Sequence, residues 1–386
     1  MHRTLKNILV TGGAGFIGSN FIHYVFDKTP FKGKIVNLDS LSYCGNLENL
    51  ASIEKRFGIN GNEEKGRYIF CKGDICDSQT VDKLFFEYDI DTVVHFAAES
   101  HVDRSIAGPE AFIRTNITGT FNMLECARRN WTHKNADGIK SGVLFHHVST
   151  DEVFGSLGAN GYFTENTPYA PRSPYSASKA ASDHLVLAWH STYGLPVTLS
   201  NCSNNYGPYQ FPEKLIPLMI LNIKEKKPLP VYGDGKNIRD WLYVEDHNSA
   251  VWLILNKGKA GQTYNIGGEN EWENIRLLQK LIELTVEKLN EAQSPSCADG
   301  AQTADGFYRL EDVQKTIRFV SDRPGHDRRY AIDCSKIKKE LGWKQSSSFE
   351  EGLKKTVGWY LENPLWIEGI KTGSYRTWID QNYTNR

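Results

Sequence analysis

The glycine-rich stretch at residues 12–18 constrains the fold of this chain more than any other feature. It lies directly between a short apolar run, residues 7–10, and an amphipathic stretch, residues 16–26. Glycine allows the backbone to turn tightly and to approach a pyrophosphate, which rests on the N-terminus of the following helix. The order of strand, glycine turn and helix therefore predicts a dinucleotide site, and a turn that binds nothing is the alternative. The residues assigned to this site are Gly12, Gly15, Phe16, Ile17 and Gly18.

The first two-thirds of the chain alternates short apolar runs with longer amphipathic stretches. The runs predict strands, because they are rich in Val, Ile and Leu and are bounded by Gly, Asp or Ser. They are residues 7–10, 34–38, 68–70, 92–96, 143–148 and 196–200. Helical patterns lie between them at residues 16–26, 78–86, 109–129 and 174–193. This alternation predicts an α/β fold with a doubly wound parallel sheet of the Rossmann type.

The texture of the sequence changes after residue 201, where a turn-rich stretch is followed by Pro212 and Pro217. We therefore predict a smaller C-terminal substrate-binding domain beside the dinucleotide-binding domain. The dinucleotide-binding domain is assigned residues 1–201 and 236–268, and the substrate-binding domain residues 202–235 and 269–386. Residues 288–306 are polar and weakly patterned, which predicts a surface loop.

Charge and cysteine content bear on the class of protein. A net charge of -1 over 386 residues argues against a general attraction to nucleic acid or to a membrane. No apolar run approaches the length of a membrane span, and the N-terminus does not read as a signal peptide. The seven cysteines are scattered without a C-x-x-C pair, which favours reduced thiols over a metal site or disulfides. We expect a cytoplasmic protein without a bound metal, a nucleic-acid partner or membrane association.

An acidic residue, Asp39, ends the second predicted strand about twenty residues after the glycine turn. A carboxylate there accepts hydrogen bonds from the ribose hydroxyls and repels a 2′-phosphate, which favours NAD over NADP. Asp74 and Ile75, after the third strand, are expected to flank the adenine. Ala97 and Ala98, after the fourth strand, are expected to line the cofactor.

Two short stretches carry the candidate catalytic residues. Tyr175 and Lys179 are one helical turn apart, and Thr150, Asp151 and Glu152 follow the fifth predicted strand. An oxidoreductase needs the phenol, the ammonium and the hydroxyl to take a proton from an alcohol. A phenol has an ordinary pKa near 10, and we expect Lys179 and a positive nicotinamide ring to lower it. The two carboxyl groups suggest a second reaction, an elimination, with a solvated strand end as the alternative interpretation.

The glycine turn, Thr150 and the Tyr175-x-x-x-Lys179 pair resemble the extended short-chain dehydrogenase/reductase family. Longer motifs narrow the resemblance to its nucleotide-sugar 4,6-dehydratase branch. They are residues 98–105 (AESHVDRS), 149–153 (STDEV), 204–208 (NNYGP), 235–241 (GKNIRDW) and 322–327 (DRPGHD). Phe154 departs from the tyrosine that is usual in the family, and we expect this difference to affect packing rather than chemistry.

The resemblance implies three steps on a nucleoside-diphosphate hexose, with dTDP-glucose as the expected substrate. Tyr175 takes the proton of the 4-hydroxyl while a hydride leaves C4 for NAD+, and Thr150 holds the oxygen. Glu152 is the expected base for the C5 proton and Asp151 the expected acid for the departing C6 hydroxyl. The hydride then returns to C6, so that NAD is recycled and dTDP-4-keto-6-deoxyglucose is formed.

Cations from different segments predict a site for the diphosphate of the substrate, because Arg and Lys pair well with phosphate oxygens. For any one of these charges taken alone, a solvated surface position is an equal alternative. The candidates are Lys214, Arg239 and Arg323, with Asn205 and His326 as polar contacts and Ser100 and Tyr375 near the sugar.

Several alternatives stay open. UDP-glucose or another nucleotide sugar fits the same chemistry, because the thymine methyl group is worth only about 1 kcal/mol. A 4-epimerase or a decarboxylase is less well supported, since an epimerase needs no acid for a C6 leaving group. A cofactor-binding protein without turnover is the alternative from another class. The family pairs the helices that correspond to residues 109–129 and 174–193 across a dimer interface, which implies a homodimer.

Three histidines within predicted strands, His95, His146 and His147, are interpreted as buried packing residues rather than catalytic groups. His146 and His147 are adjacent, so they point to opposite faces of their strand.

Overall fold

The structure is a computed structural model, and it describes residues 3–42, 44–133, 138–293, 307–322 and 325–372. The strands in these ranges are β1 (Asn7–Thr11), β2 (Lys34–Asp39), β3 (Tyr68–Lys72), β4 (Thr92–His95), β5 (Leu144–Thr150), β6 (Val197–Cys202), β7 (Asn204–Tyr206), β8 (Leu229–Tyr232), β9 (Ile238–Tyr243), β10 (Gln262–Ile266), β11 (Glu271–Glu273) and β12 (Ile317–Val320).

The helices in the same ranges are α1 (Phe16–Lys28), α2 (Ala51–Phe57), α3 (Ser78–Tyr88), α4 (Val102–Ala107), α5 (Glu110–Phe112), α6 (Thr120–Trp131), α7 (Pro174–Tyr193), α8 (Leu215–Lys224), α9 (Val244–Lys257), α10 (Asn274–Gln293), α11 (Leu310–Gln314), α12 (Ser335–Leu341), α13 (Phe349–Glu362) and α14 (Pro364–Thr372). A π-helical segment, Ile113–Gly119, joins α5 to α6, and 3-10 turns occupy Leu47–Leu50 and Asp151–Phe154.

Seven parallel strands form the central sheet in the order β10-β6-β5-β4-β1-β2-β3. The chain runs outward from β1 through β2 to β3, and then returns to place β4 on the other side of β1. This reversal is the switch point of a doubly wound fold, and it opens a crevice at the carboxyl ends of the strands. The predicted α/β fold is confirmed. The edge strand β10, which pairs with β6, was not predicted, because its Gln-Thr-Tyr-Asn-Ile sequence lacks an apolar run.

The helix that carries Tyr175 has strong signals at both ends. Ser173 and Ser176 form a reciprocal capping box, and Pro174 occupies the first helical turn. Gly194 ends the helix in the left-handed region, with φ 67°. These signals explain why α7 has the bounds predicted from the sequence, and they place its first turn beside the end of β5.

The prediction of a surface loop at residues 288–306 is wrong at its beginning, because α10 extends to Gln293. Leu281 and Leu289 belong to the apolar face of this helix, and Lys288 lies on its polar face, 3.2 Å from Glu362. The polar residues that suggested a loop are therefore the exposed side of an amphipathic helix. Residues 294–306 lie outside the described ranges.

A second apolar core lies around β7, β8 and β9 and the helices α8, α10 and α13. Within it, Leu281, Leu353 and Tyr360 are fully buried. Ile337 of α12 and Trp343 pack instead with the core of the central sheet, although they come late in the chain. The predicted division into two domains stays a prediction. Within the described ranges, every helix is too short or too polar to cross a membrane.

Candidate active site

A cavity of about 510 Å³ opens at the carboxyl ends of the central strands, where the strand order reverses. Ligands bind at this position in open α/β sheets. The cavity is lined by every predicted cofactor residue, namely Gly12, Gly15, Phe16, Ile17, Gly18, Asp39, Asp74, Ile75, Ala97 and Ala98. It is also lined by the predicted catalytic residues Thr150, Asp151, Glu152, Tyr175 and Lys179, and by Ser100, Asn205 and Lys214 from the predicted substrate set.

The glycines of the turn between β1 and α1 serve different purposes. Gly12 has φ 70°, and a side chain there would place Cβ 2.7 Å from the Ala97 backbone. At Gly18, Cβ would lie 2.4 Å from the Gly12 carbonyl oxygen. At Gly15 the only close atom is that same oxygen, at 3.3 Å. Gly15 also precedes α1 without a side-chain cap, so the backbone N–H groups there are available to a pyrophosphate, and the turn fits a dinucleotide.

The Asp39 carboxylate lies beneath the same turn and is 8% exposed. Its Oδ2 accepts a hydrogen bond of 2.9 Å from the Ala14 amide, and its Oδ1 accepts one of 2.8 Å from the Leu41 amide. Burial raises the pKa of Asp39, and the two amide hydrogen bonds oppose that rise. A carboxylate offers about four lone-pair positions, so these two bonds leave capacity for ribose hydroxyls.

The region predicted to flank the adenine contains a residue that was not predicted from the sequence. Arg114 lines the cavity, and its Nη2 donates a hydrogen bond of 2.8 Å to Asp74 Oδ2. The other carboxylate oxygen, Oδ1, accepts a hydrogen bond from the Cys76 amide. Arg114 lies in the π-helical segment, far from any recognisable motif, and no signal in the sequence marks it.

Tyr175, Thr150 and Asp151 are all buried. The Thr150 hydroxyl donates a hydrogen bond to Asp151 Oδ1 at 3.4 Å. It also accepts a hydrogen bond of 3.3 Å from the Glu152 amide. The 3-10 turn that follows β5 directs the two carboxyl side chains and this hydroxyl into the cavity.

Burial shifts the pKa values of Asp151 and Tyr175 away from their ordinary values. It is the main reason that the pKa of Asp151 is raised well above its usual range, with a further rise from Glu152 and an opposing effect from Arg239. Burial also raises the pKa of Tyr175 well above its usual value, and the Glu152 charge adds to the rise. These surroundings favour the protonated form of both groups.

Lys179 is buried and contacts the end of β5. Its Nζ donates a hydrogen bond of 2.8 Å to the Val148 carbonyl oxygen and lies 3.4 Å from His147 Nε2. Burial lowers the pKa of Lys179, and the nearby Asp183 carboxylate opposes that effect. The prediction that Lys179 and a nicotinamide ring lower the pKa of Tyr175 stays a prediction.

The histidines of the sheet are structural, as predicted. His95 Nδ1 is 2.6 Å from the Thr11 hydroxyl, and the other ring nitrogen is 3.1 Å from the Thr120 hydroxyl. His147 Nε2 lies 3.2 Å from Asp183 Oδ1, beneath Lys179. Asp183 is buried one helical turn after Lys179 on α7, and its contact with His147 was not predicted because it depends on the packing of α7 against β5.

Near the sugar end, Lys214 Nζ donates a hydrogen bond of 3.3 Å to the Ser100 carbonyl oxygen, and both residues line the cavity. The Asn205 amide nitrogen donates to the Ser203 carbonyl oxygen, and its oxygen lies 2.9 Å from His247 Nδ1. The amide of Asn205 is therefore already engaged within the fold.

Arg239 and His326 are not among the residues that line the cavity. The Arg239 guanidinium stacks on the Tyr330 ring at 4.4 Å and donates to the Asp327 carbonyl oxygen at 2.9 Å. Its charge still reaches Asp151. His326 Nδ1 lies 2.5 Å from Asp322 Oδ1. Arg323 and Tyr375 lie outside the described residues.

Comparison with known proteins assigns the chain to a family. The family model described as GDP-mannose 4,6 dehydratase matches residues 9–356. A dTDP-glucose 4,6-dehydratase of Salmonella typhimurium is 52% identical over 388 residues, covering 98% of this chain and 99% of the relative.

Solved structures agree with this assignment. The dTDP-glucose 4,6-dehydratase of Bacillus anthracis in complex with NAD is 43% identical with a TM-score of 0.77, covering 95% of this chain and 99% of that one. The enzyme of the same name from Streptomyces venezuelae, with NAD bound, is 41% identical with a TM-score of 0.80, covering 94% of this chain and 99% of that one. The relatives compared above are all dTDP-glucose 4,6-dehydratases. This chain therefore belongs to the GDP-mannose 4,6 dehydratase family.

Proposed function

We propose that this chain converts dTDP-glucose to dTDP-4-keto-6-deoxyglucose, as an NAD-dependent hydro-lyase that regenerates its cofactor in each turnover. One observation carries the reaction type, namely that Asp151 and Glu152 lie in the same cavity as Tyr175. A phenol and a dinucleotide support oxidation alone, whereas two further carboxyl groups support the loss of water. The 52% identity to a dTDP-glucose 4,6-dehydratase supports the choice of substrate.

Bound NAD+ accepts the hydride from C4 of the sugar and supplies it again at C6. Tyr175 takes the proton of the 4-hydroxyl in the oxidation. Burial raises the pKa of the Tyr175 phenol, and the phenol must lose its proton before it can act as a base. A positive charge near the phenol favours the loss of this proton. The Thr150 hydroxyl, which lowers the pKa of the phenol, is proposed to keep the reacting oxygen in place. Lys179 donates a hydrogen bond to the Val148 carbonyl oxygen and so holds the end of β5 in place.

The 4-ketone acidifies the neighbouring C5–H, and the two carboxyl groups then divide the elimination between them. Glu152 takes the C5 proton, and Asp151 gives a proton to the departing C6 hydroxyl. Burial raises the pKa of Asp151 well above its usual range, which favours the protonated form that the acid role requires. Among the described residues its Oδ2 is buried without a hydrogen-bond partner, and we assign this side of the carboxyl group to the C6 hydroxyl.

The substrate contacts are part of the same proposal. Lys214 and Ser100, which line the cavity, are proposed to contact the diphosphate and the sugar. Arg239, Arg323 and His326 are proposed to approach the nucleotide from the C-terminal segments. Asn205 and Tyr375 complete the proposed set.

We also propose a homodimer formed through α6 and α7 and a cytoplasmic location. Phe121 of α6 and Tyr193 of α7 are exposed apolar side chains on these two helices. Phe121 packs edge-on against Trp189 at 5.7 Å, and Trp189 against Tyr193 at 5.5 Å, so the aromatic row continues from one helix to the other. An exposed apolar row on two packed helices suits a partner surface. The free cysteines of the described residues suit a reducing compartment.

The experiment that tests the function offers dTDP-glucose and UDP-glucose in competition to the purified protein, without added NAD, and follows each by mass spectrometry. Loss of one water from dTDP-glucose supports the proposal in full, including a retained and recycled cofactor. Loss from UDP-glucose instead keeps the mechanism and changes the substrate. No loss from either sugar, with NAD still bound, contradicts the proposal and favours an epimerase or a protein without turnover.

A further inference from the structure

Both polar atoms of the Ala14 backbone, in the glycine turn between β1 and α1, are engaged in hydrogen bonds. The Ala14 amide donates to Asp39 Oδ2 at 2.9 Å. The Ala14 carbonyl oxygen accepts hydrogen bonds from the Asn49 side-chain amide at 2.9 Å and from the Asn46 backbone amide at 3.0 Å. Because the peptide unit is planar, a fixed carbonyl group at Ala14 also fixes the direction of the Gly15 amide.

Asn49 connects this turn to a helix near the other end of the chain. Its Oδ1 accepts a hydrogen bond of 2.8 Å from Trp366 Nε1, although the two residues are 317 positions apart. Ala14, Asn49 and Trp366 are all buried. Trp366 belongs to α14 and packs in the second apolar core. One amide side chain therefore joins this core to the glycine turn through two buried hydrogen bonds.

The ring of Trp366 also contacts a residue of the cavity wall. Tyr209 lines the cavity, and its ring packs edge-on against Trp366 at 6.1 Å and against Trp359 at 4.8 Å. The two tryptophans pack against each other at 4.9 Å. The C-terminal helix α14 thus approaches the cavity through an aromatic cluster as well as through the hydrogen bond to Asn49.

The retention of NAD is the property that depends on this connection. Gly15, Phe16 and Ile17 follow Ala14 directly and line the cavity where the pyrophosphate is expected. We propose that Trp366 and Asn49 are positioning residues that hold the glycine turn in its NAD-binding conformation and so slow the release of the cofactor.

A slow release matters to the proposed reaction in particular. The reduced cofactor must stay bound between the oxidation at C4 and the return of the hydride to C6. This consequence rests on the proposed function, whereas the effect on NAD binding does not.

The connection acts in both directions, because a coupling free energy between two sites is reciprocal. If the docked α14 favours NAD binding, then bound NAD favours the docked α14. Hydrogen exchange of the wild-type protein, followed by mass spectrometry, measures this effect. We expect the amides of α14 to exchange more slowly with saturating NAD than after its removal. Equal exchange rates in the two states would contradict the coupling.

The variant test measures how fast NAD leaves the holoenzyme. The protein is loaded with radiolabelled NAD and chased with an excess of unlabelled NAD, and the retained label is followed over time. Trp366→Phe keeps an aromatic ring and lacks the indole N–H, and we expect its release of label to be about three- to tenfold faster than that of the wild type. Trp359→Phe is the matched control, because it alters the same aromatic cluster and leaves the hydrogen bond to Asn49 in place. We expect it to release NAD at the wild-type rate.

A double variant separates this positioning role from a general loss of stability. Asn49→Leu lacks the donor to Ala14, and we expect it to speed release by a similar factor. In that background Trp366→Phe is expected to add no further acceleration, because both residues act through one connection. Asn49→Ser replaces the leucine variant if that variant does not fold.

Release at the wild-type rate from Trp366→Phe, or the same added acceleration in both backgrounds, would overturn the proposal. The chase needs no turnover, so its outcome is independent of the proposed function. Failure of the proposed function is recognised separately, because the wild-type protein would then release no water from either sugar.

Discussion

Asp151 and Glu152 are neighbours in the sequence, but their side chains have different surroundings. Asp151 is buried, whereas Glu152 is half-buried at the cavity wall. Burial and the charge of Glu152 both raise the pKa of Asp151. Two carboxyl groups whose environments separate their pKa values are suited to act as acid and base in one reaction.

Asp151→Asn and Glu152→Gln are each expected to slow water loss by about 10²–10⁴-fold while C4 oxidation still proceeds. NADH absorbance should therefore rise on addition of dTDP-glucose and persist. Tyr175→Phe is the matched control, since it lacks the oxidation base and should show no NADH. Wild-type rates of deoxysugar formation in both carboxyl variants would show that the elimination roles are assigned to the wrong residues.

Residues within short motifs were predictable, and residues that tertiary contacts bring to the site were not. Thr150, Asp151 and Glu152 are consecutive, and Tyr175 and Lys179 are one helical turn apart, so local structure alone keeps each group together. Asp183 lies one helical turn after Lys179 on α7, and it approaches His147 only because α7 packs on β5. The hydrogen bond from Lys179 to the Val148 carbonyl oxygen depends on the same packing, whereas its predicted effect on the pKa of Tyr175 stays a prediction.

At the scale of elements, two glycines at the junction of β1 and α1 are expected to have different roles. One is required for packing and the other for ligand binding. Gly18→Ala would bring Cβ to 2.4 Å from the Gly12 carbonyl oxygen, and we expect it to destabilise the protein by about 1–3 kcal/mol. Gly15→Ala meets only one atom at 3.3 Å, so we expect near-normal stability and much weaker NAD binding.

Thermal denaturation and isothermal titration with NAD distinguish the two glycine variants. The expected pattern is a lower Tm for Gly18→Ala and a normal Tm with a raised Kd for Gly15→Ala. Unchanged NAD affinity in Gly15→Ala would show that the pyrophosphate does not rest on this turn.

The strands and helices near the switch point followed from the sequence because their signals are local. The predicted strands β1, β2 and β4 are largely buried, and α7 has a capping box and a C-terminal glycine. The edge strand β10 is held by pairing with β6 rather than by its own pattern. The end of α10 was missed because an exposed amphipathic face and a polar loop have similar composition.

At the scale of the whole molecule, buried histidines make stability depend on pH. His146 is fully buried between the hydroxyls of Thr198 and Ser200, and burial lowers its pKa from 6.5 to about 3. Between these values the unfolded chain binds a proton that the folded protein does not. His146 therefore contributes stability that is complete above pH 6.5 and is lost as pH falls toward 3.

His146→Gln removes this titration. We expect the slope of unfolding free energy against pH to fall by about 1.4 kcal/mol per pH unit between about pH 4 and 6. Denaturant unfolding at several pH values, followed by circular dichroism, measures that slope. A slope equal to that of the wild-type protein would mean that His146 has the same pKa in the folded and unfolded states.

The proposed dimer makes a prediction about oligomeric state. Phe121→Glu places a charge in the exposed aromatic row of α6 and α7, and we expect it to yield monomers in sedimentation velocity. Phe86→Glu is the matched control, because Phe86 is 85% exposed on α3, away from that row, and should leave the dimer intact. A monomeric wild-type protein, or a dimeric Phe121→Glu variant, would contradict the assigned interface.

The central claim is that one hydride leaves C4 and returns to C6 of the same sugar. The most direct measurement supplies dTDP-glucose with deuterium at C4, in ordinary water and without added NAD, and locates the label in the product by mass spectrometry and NMR. We expect the deuterium at C6 of dTDP-4-keto-6-deoxyglucose. Deuterium that remains at C4, or that is lost to the solvent, would contradict this mechanism.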